Sequence, residues 1–493
     1  MVRSSSVLAI LSSLAILATT TSGAVTTSLE NCLQKISGLE VVVAGDSSWT
    51  KAKQAFDLRF TYTPKAVVYP STDSQVQAAV KCAAASSIPI APRCGGHSYE
   101  GYSLGGADGF LIIDVTKMQT VTVDQSTETA WIGAGSKLGP AYLSLWQSGN
   151  YTIPGGTCPS VGVSGNALGG GYGLLGRKHS VLADNVVALK FVNAKGELLQ
   201  VDASTNPDLF WALRGGGLGS YGVVTSFQFK IYQISSPVTA FEYSFPASSY
   251  KKVMQGLAAW SPSAPEEVTV ELNWGASSFD LTGIYLGPKS NIPSVMNKWF
   301  SIIKPSSSDV KEMSMIQAIL KFTYMGTTDI QALSLTTGPG PADSRYYAGK
   351  SLLFDKATFS DESIEIIHKW LPKYKQGYII IDVWGGAVHN QPSTGPNAFV
   401  HRSQQYGIEF VSEWDKDKCG DCLTWLSGFF NEMLTQYKKE YTVVKAYQNY
   451  IDRTLPNWSS AYYADAFPRL VSIKKDIDPN NIFRNPQSIP VSL

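Results

Sequence analysis

Glycine most narrows what this chain can become. Of 493 residues, 43 are glycine, and between residues 93 and 222 they gather into three clusters. The first is Arg93-Cys94-Gly95-Gly96-His97-Ser98-Tyr99. The second runs from Gly155 to Gly176 and holds nine glycines. The third, Gly215 to Gly222, follows Phe210-Trp211-Ala212-Leu213-Arg214. A residue without Cβ lets backbone N–H groups approach a phosphate or a ring and form an anion-binding nest. Three such clusters point to a large, flat, phosphorylated ligand.

A dinucleotide site of the doubly wound kind is excluded. Gly171-Tyr172-Gly173-Leu174-Leu175-Gly176 and Gly217-Leu218-Gly219-Ser220-Tyr221-Gly222 both match GxGxxG. That fingerprint must follow a strand and open a helix. The first follows glycine and leads into polar Arg177-Lys178-His179; the second runs into a strand, Val223-Val224-Thr225. No Walker A sequence is present.

Charge excludes another class. Lys+Arg 40 against Asp+Glu 39 gives +1, and no basic run supplies the local surplus that nucleic acid requires. Arg3, the apolar run Val7 to Ala18 and small Ser22-Gly23-Ala24 read as a signal peptide over 1–24. The run is too short to span a bilayer. The mature chain is therefore expected to be secreted and soluble, with no membrane or nucleic-acid partner, and monomeric. Sequons at Asn150 and Asn457 are candidate glycan sites. Six cysteines suit an oxidising compartment. Cys32 and Cys82 flank the first folded segment and read as a disulfide. Cys419-Gly420-Asp421-Cys422 reads as a local disulfide, with a zinc half-site or redox pair as alternatives; no second CxxC completes a metal site. Cys94 and Cys158 are left over.

Periodicity predicts a helix over Thr72 to Ser86 with Thr72 or Asp73 as cap, and a helix over Leu138 to Gln147. Val186 to Val192 and Leu198 to Val201 read as a hairpin turned at Lys195-Gly196. Glycine thins beyond Ser235-Ser236-Pro237, where strands such as Val268 to Leu272 and Tyr378 to Val383 alternate with helical stretches such as Ile364 to Leu371 and Leu423 to Tyr437. The division drawn is 25–235 for one domain, 236–440 for a second, and 441–493 for a return to the first.

Six segments together resemble a known family: GGHSY at 95–99, TCPSVGVSG at 157–165, LGGGYG at 168–173, WALRGGG at 211–217, NYID at 449–452 and DPNNIF at 478–483. The chain resembles the berberine-bridge-enzyme-like flavoproteins of the vanillyl-alcohol-oxidase superfamily. The resemblance implies an α+β fold: a two-part FAD-binding domain of the p-cresol-methylhydroxylase type, plus a substrate domain whose antiparallel sheet is covered by helices. It implies FAD bound covalently through His97 to the 8α-methyl and through Cys158 to ring carbon 6. It places Arg93, Cys94, Gly95, Gly96, Ser98, Tyr99, Ser164, Gly165, Asn166, Gly170, Gly171, Gly173 and Val223 at the cofactor, with Cys94 a free thiol beside it.

Val161 in this pattern goes with dioxygen as acceptor. Tyr450 matches the family tyrosine over the flavin, counted both at the cofactor and as catalytic. Because a free phenol has pKa near 10, it needs activation, which the resemblance assigns to Asp382. Tyr99, Tyr378, Ile380 and Glu409 line the substrate side, with Glu271 and Asn273 as further polar groups. The substrate expected is a hydroxylated aromatic or polyketide-type metabolite, oxidised with release of H2O2. The alternatives are an oligosaccharide oxidase making a lactone, a dehydrogenase with another acceptor, and a binding protein without turnover.

Overall fold

The computed structural model describes residues 28–336, 344–392, 395–415 and 419–493; the expected signal peptide lies outside them. The fold is α+β, built on three larger sheets. The first is four-stranded, in spatial order Glu40–Val42, Ala66–Tyr69, Leu111–Asp114, Ile90–Arg93. Its last three strands are parallel. The helix Asp73–Ala85 makes one crossover, capped by Thr72, whose side chain accepts from the Gln75 N–H. The disulfide Cys32–Cys82 ties the short helix Ser28–Leu33 to it, with Cα atoms 5.7 Å apart. Closing a loop of this length stabilises by about 4 kcal/mol on the chain-entropy estimate.

The second sheet is five-stranded and antiparallel: Val121–Asp124, Thr129–Gly133, Val223–Lys230, Val186–Val192, Leu198–Asp202. Its outer hairpin turns where expected, with Gly196 at φ +71°. There the left-handed conformation strains any residue with a Cβ.

The third sheet is seven-stranded and antiparallel throughout, in order Ser307–Met313, Val238–Pro246, Ser278–Tyr285, Val268–Gly275, Gly377–Val383, Tyr406–Trp414, Tyr346–Phe354. Strand alternation divides its faces. Ile379, Ile381 and Val383 are fully buried on one side. There the helix Cys422–Glu440 presents Trp425, Phe429, Phe430 and Met433 at three- and four-residue spacing. Phe410 meets Phe429 and Phe430 edge-on, with centroids 5.0 and 5.6 Å apart. Each such aromatic contributes about 1.5–3 kcal/mol by burial. Tyr378, Ile380 and Asp382 point to the other face. Cys419–Cys422 is a disulfide, Cα atoms 5.1 Å apart, at the start of that helix.

The last fifty residues return to the first sheets. Ile90 bridges Phe483. The Tyr221 hydroxyl donates to the Leu470 carbonyl at 3.0 Å. Lys474 Nζ, fully buried, donates to Asp478 at 2.6 Å and to the Phe483 carbonyl at 2.7 Å. This return carries Tyr447 to Asp452 between the glycine clusters and the third sheet.

Candidate active site

The first glycine cluster leaves the sheet at Arg93. Its guanidinium pairs with Asp114 at 2.5 Å, both side chains fully buried. The chain then runs backbone-to-backbone against the second cluster: a Cβ on Gly95 would collide with the Gly162 nitrogen. Only glycine permits that approach. It brings two nucleophiles onto one neighbour. His97 Nε2 is 2.9 Å from the Ser160 hydroxyl, and Cys158 Sγ is 3.4 Å from the same oxygen. With Nε2 so engaged, Nδ1 is the ring nitrogen left for another partner. The imidazole stacks on Phe56, centroids 4.1 Å apart. Burial, Lys137 and Arg345 push its pKa down to about 3, so it is a neutral imidazole. Cys158 is exposed and Cys94 buried, both free thiols. Burial beside Asp114 pushes Cys94 up to about 12, which keeps it a protonated, unreactive thiol.

A cavity of about 370 Å³ opens here. Arg93 to Tyr99, Cys158, Val161, Ser164, Gly165, Asn166, Val223 and Tyr450 all line it. Two lining residues carry buried polar atoms with no partner, Arg93 Nη1 and Gln448 Oε1. Unmet donors and acceptors beside bare glycine backbone fit a large polar ligand such as FAD. Gly170, Gly171 and Gly173 do not line the cavity. Their lack of Cβ serves packing behind it: against Phe399, against Asn166 and Leu182, and against the Gly155 carbonyl. Gly171 also donates its N–H to the Tyr447 hydroxyl at 2.8 Å.

The open face of the third sheet closes the other side. Register sets Asp382 opposite Glu271, and Ile380 between Asn273 and Glu409. Tyr347 donates to Glu409 Oε1 at 2.5 Å. Tyr99 lies 4.6 Å from Tyr347 and 5.8 Å from Tyr450, nearly parallel to the latter. Tyr378 packs in the same aromatic cluster as Tyr99 and Tyr347 and reaches Glu413 at 3.2 Å. Ion pairs fix this arrangement from outside: Arg453 to Glu100 at 2.6 Å and Lys350 to Asp452 at 2.8 Å.

Three carboxyl groups thus share one face, Glu409 buried and Glu271 and Asp382 half-buried. Burial, then Glu271 and Glu409, raise Asp382 well above the carboxylate range. Burial likewise raises Glu271. Glu409, raised by burial and relieved by its bonds to Tyr347 and Tyr99, sits at about 7. Burial and the carboxyls Glu409 and Asp382 raise Tyr450 well above the phenol range. Burial thus favours the protonated forms of Asp382 and Tyr450, while Glu409 titrates close to neutrality.

Sequence reading missed Tyr347, Tyr447 and Phe56. Tyr347 lies in a strand buried along nearly its whole length, so alternation does not single it out. Phe56 sits in a loop and carries no periodic signal.

Two family descriptions match the chain, "FAD binding domain" over residues 64–202 and "Berberine and berberine like" over residues 446–490. A xylooligosaccharide oxidase of Thermothelomyces thermophilus is 30% identical, covering 94% of each chain. Among solved structures, BBE-like 1 of Physcomitrella patens is 35% identical with TM-score 0.88, covering 95% of this chain and 100% of that one. The glucooligosaccharide oxidase of Acremonium strictum, described with a 6-S-cysteinyl, 8α-N1-histidyl FAD, is 26% identical with TM-score 0.84, covering 94% and 99%. The fold and site are those of an FAD-dependent oxidoreductase. The chain belongs to the berberine-bridge-enzyme-like family of FAD-linked oxidases.

Proposed function

We propose that this protein is a secreted oxidase carrying one FAD, linked to both His97 and Cys158, that removes a hydride and a proton from a hydroxylated small molecule and passes the electrons to O2. The observation that carries this reading is the pair of nucleophiles on one Ser160 hydroxyl, at the edge of the same cavity that Tyr450 lines. His97 leaves Nδ1 for the 8α position, which agrees with the double linkage of the Acremonium strictum oxidase. FAD bound there supplies the two-electron acceptor, with Val161 beside Cys158 leaving room for O2 and H2O2 as product.

The chain's own residues manage the proton. The substrate hydroxyl lies between Tyr450 and Asp382, which orient it by hydrogen bonds. Its proton passes toward Glu409, whose carboxyl is bonded to the phenols of Tyr347 and Tyr99 and titrates at about 7, through those phenols. Below about pH 7 Glu409 is protonated and accepts nothing, so turnover rises with pH through that value. Residues 25–235 with 441–493 serve the cofactor, and 236–440 supply the substrate face. Asn150 and Asn457 carry glycans.

The aromatic wall of Tyr99, Tyr347 and Tyr378 with Ile380 supports an aromatic or polyketide-type alcohol. Glu271 hydrogen-bonded to Asn273 at 2.8 Å favours a second reading, a reducing-end sugar. The test is peroxide release with phenolic alcohols and with cello- and xylo-oligosaccharides in an oxygen electrode. One class consumes O2 and yields equimolar H2O2. O2 left untouched, with a quinone dye reduced instead, contradicts the oxidase.

A further inference from the structure

One hydroxyl at the cavity edge serves two nucleophiles. Ser160 is fully buried. Its backbone is held on both sides: a Cβ on Gly95 would meet the Ser160 carbonyl oxygen at 2.7 Å, and a turn closes where the Val161 N–H donates to the Cys158 carbonyl at 3.3 Å. His97 Nε2 lies 2.9 Å and Cys158 Sγ 3.4 Å from Ser160 Oγ. Phe56, stacked on the imidazole, fixes the plane of that ring. A serine hydroxyl has one hydrogen to donate, and a neutral imidazole has one N–H. Where those two hydrogens sit decides which nucleophile is ready to react.

Resting on the reading that FAD is linked to both His97 and Cys158, we infer that Ser160 is the positioning residue for this attachment and sets its order, sulfur before nitrogen. Nδ1 bonds carbon only with its lone pair free. The ring proton then sits on Nε2, which donates to Ser160 Oγ. The serine hydrogen is left to point at Cys158 Sγ, where a donor strengthens as the sulfur loses its proton and takes charge. This arrangement readies both nucleophiles at once. It survives bonding of the sulfur, because the imidazole keeps its Nε2–H on Ser160. It does not survive bonding of Nδ1. Nε2 then gives up its proton and becomes an acceptor, the serine hydrogen turns to it, and an unbonded sulfur loses its donor. The two attachments balance alike. A flavin C–H and the N–H or S–H break, a C–N or C–S bond forms, and two electrons with two protons pass to O2 as H2O2.

The order is read from the parent enzyme as it matures. Secreted protein is harvested at intervals after induction, denatured and digested, and flavin on the His97 and Cys158 peptides is counted by mass spectrometry. Among singly linked chains, flavin should sit on Cys158 about tenfold more often than on His97, the worth of one hydrogen bond to a charged group. Ser160→Ala should lower linkage at Cys158 about tenfold at matched times, with His97 less affected. Flavin set free on denaturation counts the variant chains that bind without bonding, which separates attachment from folding. Ser160→Thr, which keeps the hydroxyl, should restore the Cys158 link. The time course in the parent decides if Ser160→Ala is not secreted, and the variants decide if both links form within the first interval. Singly linked chains carrying flavin on His97, a Ser160→Ala protein linked like the parent, or a Ser160→Thr protein no better than Ser160→Ala overturns the role of Ser160. Any of these in a parent that matures to two links leaves the double attachment standing. A mature parent that lacks either link refutes the double attachment and the order with it.

Discussion

The glycine cradle and the acidic sheet face meet at one cavity but are built by opposite means. The cradle is local and made of backbone. Residues 93–99 and 158–166 approach within the span of a peptide unit because Gly95 and Gly162 carry nothing between them. The sheet face is non-local and made of side chains. Glu271, Tyr347, Asp382, Glu409 and Tyr450 come from four strands and the C-terminal return, and register alone aligns them. Short motifs can therefore hold a cofactor, whereas proton handling depends on how distant strands pair. Changes in the cradle should alter what is bound, and changes on the face should alter how fast and at what pH it reacts.

Two substitutions on the face sharpen that division. Tyr450→Phe removes the hydroxyl and keeps the stack on Tyr99. It should lower kcat by about 10²–10⁴-fold, the range for groups that move or hold the proton, with flavin content unchanged. Stopped-flow flavin reduction measures it, and a rate within about threefold of the parent removes Tyr450 from the chemistry. Glu409→Gln should have a smaller effect at high pH, about tenfold, but should abolish the acid limb near pH 7 in the kcat/KM profile. An unshifted limb assigns the titration to another group. Loss of flavin from either variant breaks the comparison itself.

Much of the cradle was legible in the sequence, and little of the face. GGHSY and TCPSVGVSG brought His97 and Cys158 into view through the family resemblance that these short motifs carry. Thr72 and Gly196 marked a helix start and a turn for a local reason. The face was hidden because its neighbours are far apart in sequence. Tyr347 and Glu409 meet across the pairing of Tyr346–Phe354 with Tyr406–Trp414, and no spacing along the chain encodes that register. Glu409, read from sequence as one polar group lining the pocket, gains its distinct position from burial beside two other carboxyls. Gly170, Gly171 and Gly173 show the limit of the same signal, since here the missing Cβ makes room for protein atoms. A missing Cβ looks the same in sequence whether a cofactor or a Phe399 ring fills the space.

The central claim is that one flavin is gripped from two sides. Mass spectrometry of the denatured, secreted protein tests it most directly. The parent should retain the mass of one FAD, and digestion should join the peptides containing His97 and Cys158 through it. His97→Ala and Cys158→Ala should each retain flavin on a single peptide. A parent chain without added mass, or flavin attached to any other residue, contradicts the account.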